Sequence, residues 1–256
     1  MTAPTPEPAA VESASVPYRA RFDECGPDGL VRPSAVLRWA QDVAWIHSER
    51  LGFGREWYAE RDMAWVVRAV ECSLLAPIRM GATVEVETRV IGMRRVMARR
   101  RTEVRDSDGS LAAEILNDWV MTDVRRAAPA RVPAEFPALF GVPPEGYEPI
   151  RVALPAMPGD APRLDVVARP HEIDPMAHVN NAAYLDWFDE AVGAMGDPGA
   201  VAIAALPRTY RLEYLLPVGL GVAHVATTWP MDGGGWAYRL VRADGPDALR
   251  GTLTAA

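Results

Sequence analysis

The feature that most constrains this chain is a series of like residues that recur in one order at a slowly shrinking interval. Arg21 and Arg169, Leu37 and Leu185, and Trp39 and Trp187 are each 148 positions apart. Glu71 and Glu213 are 142 apart. Pro77/Pro217, Gly81/Gly221 and Thr88/Thr228 are 140 apart, and Asp108-Gly109 and Asp244-Gly245 are 136 apart. An internal duplication whose second copy has shorter loops produces this pattern. Between the copies, residues 127–162 hold nine of the 23 prolines. That density bars helix and central strand and reads as a long semi-extended linker. The expected organisation is a disordered tail over 1–17, a first unit over 18–126, the linker over 127–162 and a second unit over 163–256.

Each unit has the same layout. A short strand (18–23; 163–172) leads into one helix (about 34–51; 181–195). In the second helix Tyr184, Leu185, Phe188, Ala191, Val192 and Met195 recur at three- and four-residue steps, a stripe suited to a helix wrapped by other structure. Strand-like runs follow near 65–75, 83–91, 96–105 and 111–123, and again near 208–215, 222–229, 236–242 and 249–254. Hairpin turns are expected at 106–109 and 243–246. One helix followed by an antiparallel meander is an α+β unit, and a sheet curled round the helix would bury its stripe.

Composition removes many chemistries. All 27 basic residues are arginine, which excludes the P-loop, Schiff-base chemistry and the kinase lysine. Neither G-x-S-x-G nor a strand-borne G-x-G-x-x-G occurs. A net charge of −7 argues against nucleic acid as a partner. No apolar run approaches the ~20 residues of a membrane helix, and 1–17 has neither the basic start nor the apolar segment of a signal peptide. The expectation is therefore a cytoplasmic protein without nucleic-acid or membrane partners. Cys25 and Cys72 are too few for a disulfide framework or a zinc site and are expected to be inert.

The chain holds three asparagines, and two are adjacent in Asp174-Pro-Met-Ala-His178-Val-Asn180-Asn181-Ala-Ala-Tyr184-Leu-Asp-Trp187. Asparagine at a helix start commonly caps free N–H groups. The alternative is catalytic, because the start of a central helix opens on the groove between units and can hold a polarised carbonyl oxygen. The first copy lacks the cluster. At an interval of 148, Gly26 stands for Asp174, Leu30 for His178, and Arg32 and Pro33 for the asparagines. A cluster required by the fold would be present in both copies, so the expectation is one active and one structural half.

The run Asp174-x-x-x-His178-Val-Asn180-Asn181-x-x-Tyr184-x-x-Trp187, followed by Glu190, resembles the second-half motif of acyl-acyl carrier protein (acyl-ACP) thioesterases. The first half is similar to them in Glu24-Cys-Gly-Pro-Asp-Gly29, His47-Ser48 with Leu51-Gly-Phe53, Val84-Glu-Val-Glu-Thr88, and Trp119-Val120 ahead of Asp123 and Arg125-Arg126. The resemblance spans roughly 18–216. It implies a tandem double hot-dog fold, two antiparallel sheets each wrapped round a central helix. It also implies hydrolysis of fatty acyl thioesters on the phosphopantetheine of acyl carrier protein, with no metal or organic cofactor. Asp174 would be base or nucleophile and His178 would orient water or thioester. N–H groups near Asn180 and Asn181 would face the oxyanion, and Met176, Tyr184 and Trp187 would meet substrate. The family places Asn where Met176 stands, and Glu-Cys where Pro217 and Val218 follow Leu212-Glu213-Tyr214.

Two further readings stay open on sequence: a polyketide-type hot-dog dehydratase or cyclase, and a non-catalytic acyl-ligand-binding module. Association into a homodimer is equally open. Arg94-Arg95 and Arg99-Arg100-Arg101 form either a solvated strand face or a docking patch for acidic carrier protein. His47 is expected to pack or cap, Trp39, Trp45 and Trp65 to lie in the core, and Glu213 to be structural.

Overall fold

A computed structural model describes residues 12–142, 146–242 and 245–255. The first half runs β1 (Ser13–Arg19), α1 (Pro33–Arg50), α2 (Arg55–Ala59), β2 (Met63–Leu74), β3 (Thr83–Met93), β4 (Met97–Arg105) and β5 (Leu111–Asp123). Then come β6 (Ala128–Pro129) and α3 (Phe136–Leu139). The second half runs β7 (Arg163–Val167), α4 (Ala183–Gly193), α5 (Asp197–Ala204), β8 (Arg208–Tyr214), β9 (Ala223–Pro230), β10 (Trp236–Arg242) and β11 (Asp247–Ala255). None of the described helices is long and apolar enough to cross a membrane.

The strands join in the order β1-β3-β4-β5-β2-β8-β11-β10-β9-β7, every pairing antiparallel, with β6 beside β5. The first five and the last five follow the same internal order read in opposite directions. The two expected sheets are thus fused edge to edge through β2 and β8. Val70 faces Leu212 across that seam, and these residues are 142 apart, the interval of the local repeat. A pseudo-twofold axis therefore passes between them.

Alternation along each strand selects the inner face. In β3, Val84, Val86, Thr88 and Val90 are buried while Thr83, Glu85 and Arg89 are exposed, the period-two pattern of a half-buried strand. The inner residues meet α1, whose Pro33 occupies the first helical turn where a missing N–H is harmless. In the second half Phe188 of α4 stacks on Tyr238 at 4.6 Å. A Cβ at Gly251 would lie 3.1 Å from that ring, so glycine in mid-strand makes room for it.

Two expectations need correction. The tail expected over 1–17 is partly strand, because β1 begins at Ser13 and pairs with β3 along its length; its Pro17 lies on an edge strand, where a missing donor is tolerated. The remainder of that tail, 1–11, lies outside the described residues, as does the 243–244 part of the second expected turn. The linker is also less loose than its prolines imply. Pro137 sits in the first turn of α3 rather than breaking it, and Phe136 and Phe140 are buried against Leu51, Phe53, Tyr58 and Met121. Further on, Ile150 N–H donates to Asp118 at 2.7 Å and Val152 N–H to Glu213 at 3.1 Å, so the segment is tied across the outer face of both halves.

Candidate active site

Both halves build one turn twice. In the second half Ile173 bridges Val179, Asp174 N–H donates to the His178 carbonyl at 2.8 Å, and Asn180 N–H to the Glu172 carbonyl at 2.8 Å. In the first half Cys25 bridges Val31, Gly26 N–H donates to the Leu30 carbonyl at 2.8 Å, and Arg32 N–H to the Glu24 carbonyl at 2.9 Å. Each turn is entered through a boxed 3-10 turn in which Arg21 N–H bonds Glu24 and Arg169 N–H bonds Glu172. The other oxygen of each glutamate accepts an indole N–H, from Trp39 at 2.9 Å and from Trp187 at 3.0 Å. These are the residues that recur at 148, and they are what the fold needs in both copies.

The second turn adds chemistry to this frame. Asp174 Oδ1 accepts the Met176 N–H at 2.8 Å, and Oδ2 lies 3.4 Å from His178 Nδ1. His178 Nδ1 is also 3.2 Å from the Val179 carbonyl, so a proton on that nitrogen has acceptors on both sides. Asn180 Oδ1 takes the Ala182 N–H at 2.9 Å, while the Asn180 carbonyl takes the Ala183 N–H at 2.9 Å. Two N–H groups at the start of α4 are therefore already occupied by Asn180. The Asn181 carbonyl accepts the Tyr214 hydroxyl at 2.8 Å.

Asp174, Met176 and Asn180 open onto a cavity of about 930 Å³ that runs into the first half. Its walls come from α1 (Gln41, Ala44, Trp45, Ser48), α2 (Tyr58), β2 (Met63, Trp65), β3–β5 (Val90, Ala98, Arg100, Trp119) and the linker's Phe140. The expected site residues thus divide. Asp174, Met176 and Asn180 line the cavity; His178 and Asn181, from the same segment, are not among its lining residues. Tyr184 and Trp187 are buried in the core instead, Tyr184 packed between Trp187 and Tyr214 and Trp187 fixed to Glu172. The positions that depart from the family motif also separate. Met176 is exposed at the rim, whereas Val218 is buried with its carbonyl holding Val179 N–H. Glu213 sits on the outer sheet face, gripped by Arg68, Arg151 and Val152 N–H.

The first half contributes more than a frame. Gln41, Ala44, Trp45 and Ser48 follow helical spacing on one face of α1 and line the cavity with two polar side chains, one methyl and one indole. That stripe was a readable signal. Trp45 and Trp65, expected in the core, line the cavity, and Trp45 is 40% exposed. The arginine cluster divides along the strand. Arg99 turns outward to Asp118 at 2.7 Å, and Arg101 pairs with Glu103 and Glu114. Arg100 turns inward, 2.9 Å from His47 Nδ1, and burial pushes its guanidinium down to about 10, still charged at neutral pH. No open basic patch results from Arg99–Arg101. Cys72 is buried, and burial pushes its thiol up to about 12, consistent with inertness.

The sequence profile of the acyl-ACP thioesterase N-terminal domain matches residues 13–140, half of the chain. The chain belongs to the acyl-ACP thioesterase family. It is 26% identical over 254 residues to the chloroplastic palmitoyl-acyl carrier protein thioesterase of Cuphea hookeriana, a match covering 91% of this chain and 60% of that longer protein. In fold it is similar to the 12:0-ACP thioesterase of Umbellularia californica, with a TM-score of 0.78 at 22% identity over 95% of this chain and 97% of that one. It is likewise similar to an acyl-ACP thioesterase of Bacteroides thetaiotaomicron, with a TM-score of 0.74 at 15% identity over the same shares.

Proposed function

We propose that the protein hydrolyses fatty acyl thioesters carried on the phosphopantetheine of acyl carrier protein, releasing the free fatty acid. The observation that carries this reading is the placement of Asp174, the one carboxylate of the duplicated turns on this wall, at an otherwise largely apolar cavity of about 930 Å³. That volume lies within the range of about 300–1,000 Å³ typical of small-molecule sites. An acyl chain entering it gains about 0.8 kcal/mol per buried methylene, so cavity depth selects chain length. Family membership and the matched relatives support the same substrate class.

The reading assigns the steps as follows. Water attacks the thioester carbon while Asp174 takes its proton, the carbonyl oxygen becomes an oxyanion, and the C–S bond then breaks to release a thiolate. A thiolate is a good leaving group near neutral pH, so no strong acid is required. His178, against the Asp174 carboxylate, holds it in place. Direct attack by Asp174, giving a mixed anhydride that water opens, uses the same residues. A single turnover in ¹⁸O-water separates the routes, because the anhydride route allows unlabelled oxygen from Asp174 to enter the first product. The reading itself is tested by thiol release from acyl-ACP. Activity lost in Asp174→Asn sustains it, and a wild type that binds acyl chains without releasing thiol would instead identify a binding module, the reading that Met176, Pro217 and Val218 favour.

A further inference from the structure

The carboxamides at the cavity mouth have only one self-consistent orientation. Ala182 N–H can only donate, and it lies 2.9 Å from the Asn180 side chain, so the atom it meets is Oδ1. The other atom of that side chain is therefore the amide nitrogen, and it lies 3.3 Å from the side chain of Gln41 on α1. Gln41 must present its oxygen there. What remains is Gln41 Nε2, which is buried and has no hydrogen-bond partner among the described residues. Gln41 lines the same cavity as Asp174 and Asn180.

A buried amide N–H without an acceptor is destabilising. Of the unpartnered buried donors among the described residues, Gln41 Nε2 and the Trp119 indole belong to residues that line this cavity. The neighbouring backbone donors of Ala182 and Ala183 are already taken by Asn180. Trp119 is another unpaired donor on the cavity wall, but it has no hydrogen bond to the Asp174 turn. The position equivalent to Gln41 in the second half, 148 residues on, is Asp189. It accepts the Tyr210 hydroxyl at 2.6 Å and so offers an acceptor instead of a donor.

We infer that Gln41 donates its Nε2–H to the carbonyl oxygen of the bound thioester. This rests on the hydrolytic reading above and adds a residue from the first half to that site. The bond strengthens as the oxygen gains negative charge in the tetrahedral intermediate, which is where a fixed donor lowers a barrier most. The amide transfers no proton. The water proton still goes to Asp174, and the electron pair of the C–S bond leaves with sulfur.

Two substitutions in the full chain separate donation from scaffolding. Gln41→Glu keeps an oxygen for Asn180 Nδ2 and removes the donor; Gln41→Met removes both. Each is assayed on dodecanoyl- and hexadecanoyl-pantetheine, with melting temperature as a control. Binding is measured for two inert analogues, a ketone with CH₂ in place of sulfur and a thioether with CH₂ in place of the carbonyl. Both variants are expected to lose about 10²–10³-fold in kcat with a smaller rise in KM, and to lose the wild type's preference for ketone over thioether. A Gln41→Glu enzyme with wild-type kcat would reduce Gln41 to a support for Asn180 and overturn the inference. So would a wild type that binds both analogues equally, a result that needs no variant to fold. If the wild type releases no thiol yet prefers the ketone in a Gln41-dependent manner, the hydrolytic reading fails while carbonyl recognition by Gln41 stands.

Discussion

The turns at 25–31 and 173–179 share a backbone and differ in what it carries. In the first, the carboxylate is Asp28, which caps the Leu30 N–H at 3.0 Å, and the position matching Asp174 is Gly26. A Cβ at Gly26 would lie 2.9 Å from Asp28 Oδ1, so that turn takes an aspartate at 26 only if Asp28 moves. In the second, the carboxylate stands two residues earlier, beside His178 and facing the cavity. The Arg–Glu box and the Trp–Glu bond, common to both, are what the fold requires. The Asp–His–Asn cluster is present in one copy alone, and whether the fold stands without it can be tested from the strongest effect to the weakest.

Asp174→Asn should abolish nearly all thiol release from acyl-ACP while the melting temperature stays within a few degrees of wild type. Full hydrolytic rate in that variant would end the assignment of Asp174. His178→Ala should lower kcat by about 10²–10⁴-fold, the usual range for acid–base or positioning groups, whereas Leu30→Ala at the matching place should leave kcat unchanged. A stopped-time assay of all three variants on one substrate reads both halves of the comparison.

The pair Gln41 and Asp189 supplies the next effect, on stability. Burial raises the Asp189 carboxyl to about 6, against the lowering pull of its bond from Tyr210 and of the Arg208 charge. Its folded-state affinity for the proton exceeds that of the unfolded chain. Between about pH 4 and 6 the unfolded state therefore ionises first, and stability falls as pH rises, then levels off. The rise in pKa corresponds to at most about 3 kcal/mol. Asp189→Asn removes this pH dependence, and after loss of the charged hydrogen bond it should be more stable than wild type by about 1–2 kcal/mol at pH 7.5, with little gain at pH 4. Urea melts at the two pH values check this; an equal difference at both would refute it. The smallest effect is at Ala177, which holds φ 62° where the first turn has Gly29 at φ 72°. Ala177→Gly should stabilise the turn by about 1 kcal/mol, since alanine is strained there and glycine is not. A loss of stability on calorimetry would show that the methyl packs usefully.

Much of this was legible in residues that recur. Arg21/Arg169 and Trp39/Trp187 mark the duplicated frame because each makes the same bond in both copies. Strand-like runs between turn signals were readable, as in β5, whose bounds match the expectation at both ends. Asp174 and Asn180 stood out because the first copy has Gly26 and Arg32 at those places, and Met176 because it stands where the resembled motif has Asn. What escaped was anything set by packing between distant segments. Phe136 and Phe140 lie among prolines, and only the first half's open core explains their burial. Arg99 and Arg100 are neighbours in sequence but turn to opposite faces of β4. Tyr184 and Trp187 follow a motif, yet helix geometry turns them into the core. Gln41 belongs to the half without the motif, and its role depends on a contact with Asn180 across 139 residues.

The seam between β2 and β8 sets a rule for recombination. Pairing runs from Ala69 opposite Glu213 to Leu74 opposite Arg208, so each half is the covering strand for the other's open edge. A half expressed alone would present that edge bare, a template for pairing with any other chain. Exchanging halves between relatives therefore means exchanging a matched pair of edges, with the Arg68–Glu213 and Arg211–Glu71 bridges that cross them. The first turn can vary without touching the Asp174 cluster, which the second turn alone carries, but the two edges must change together.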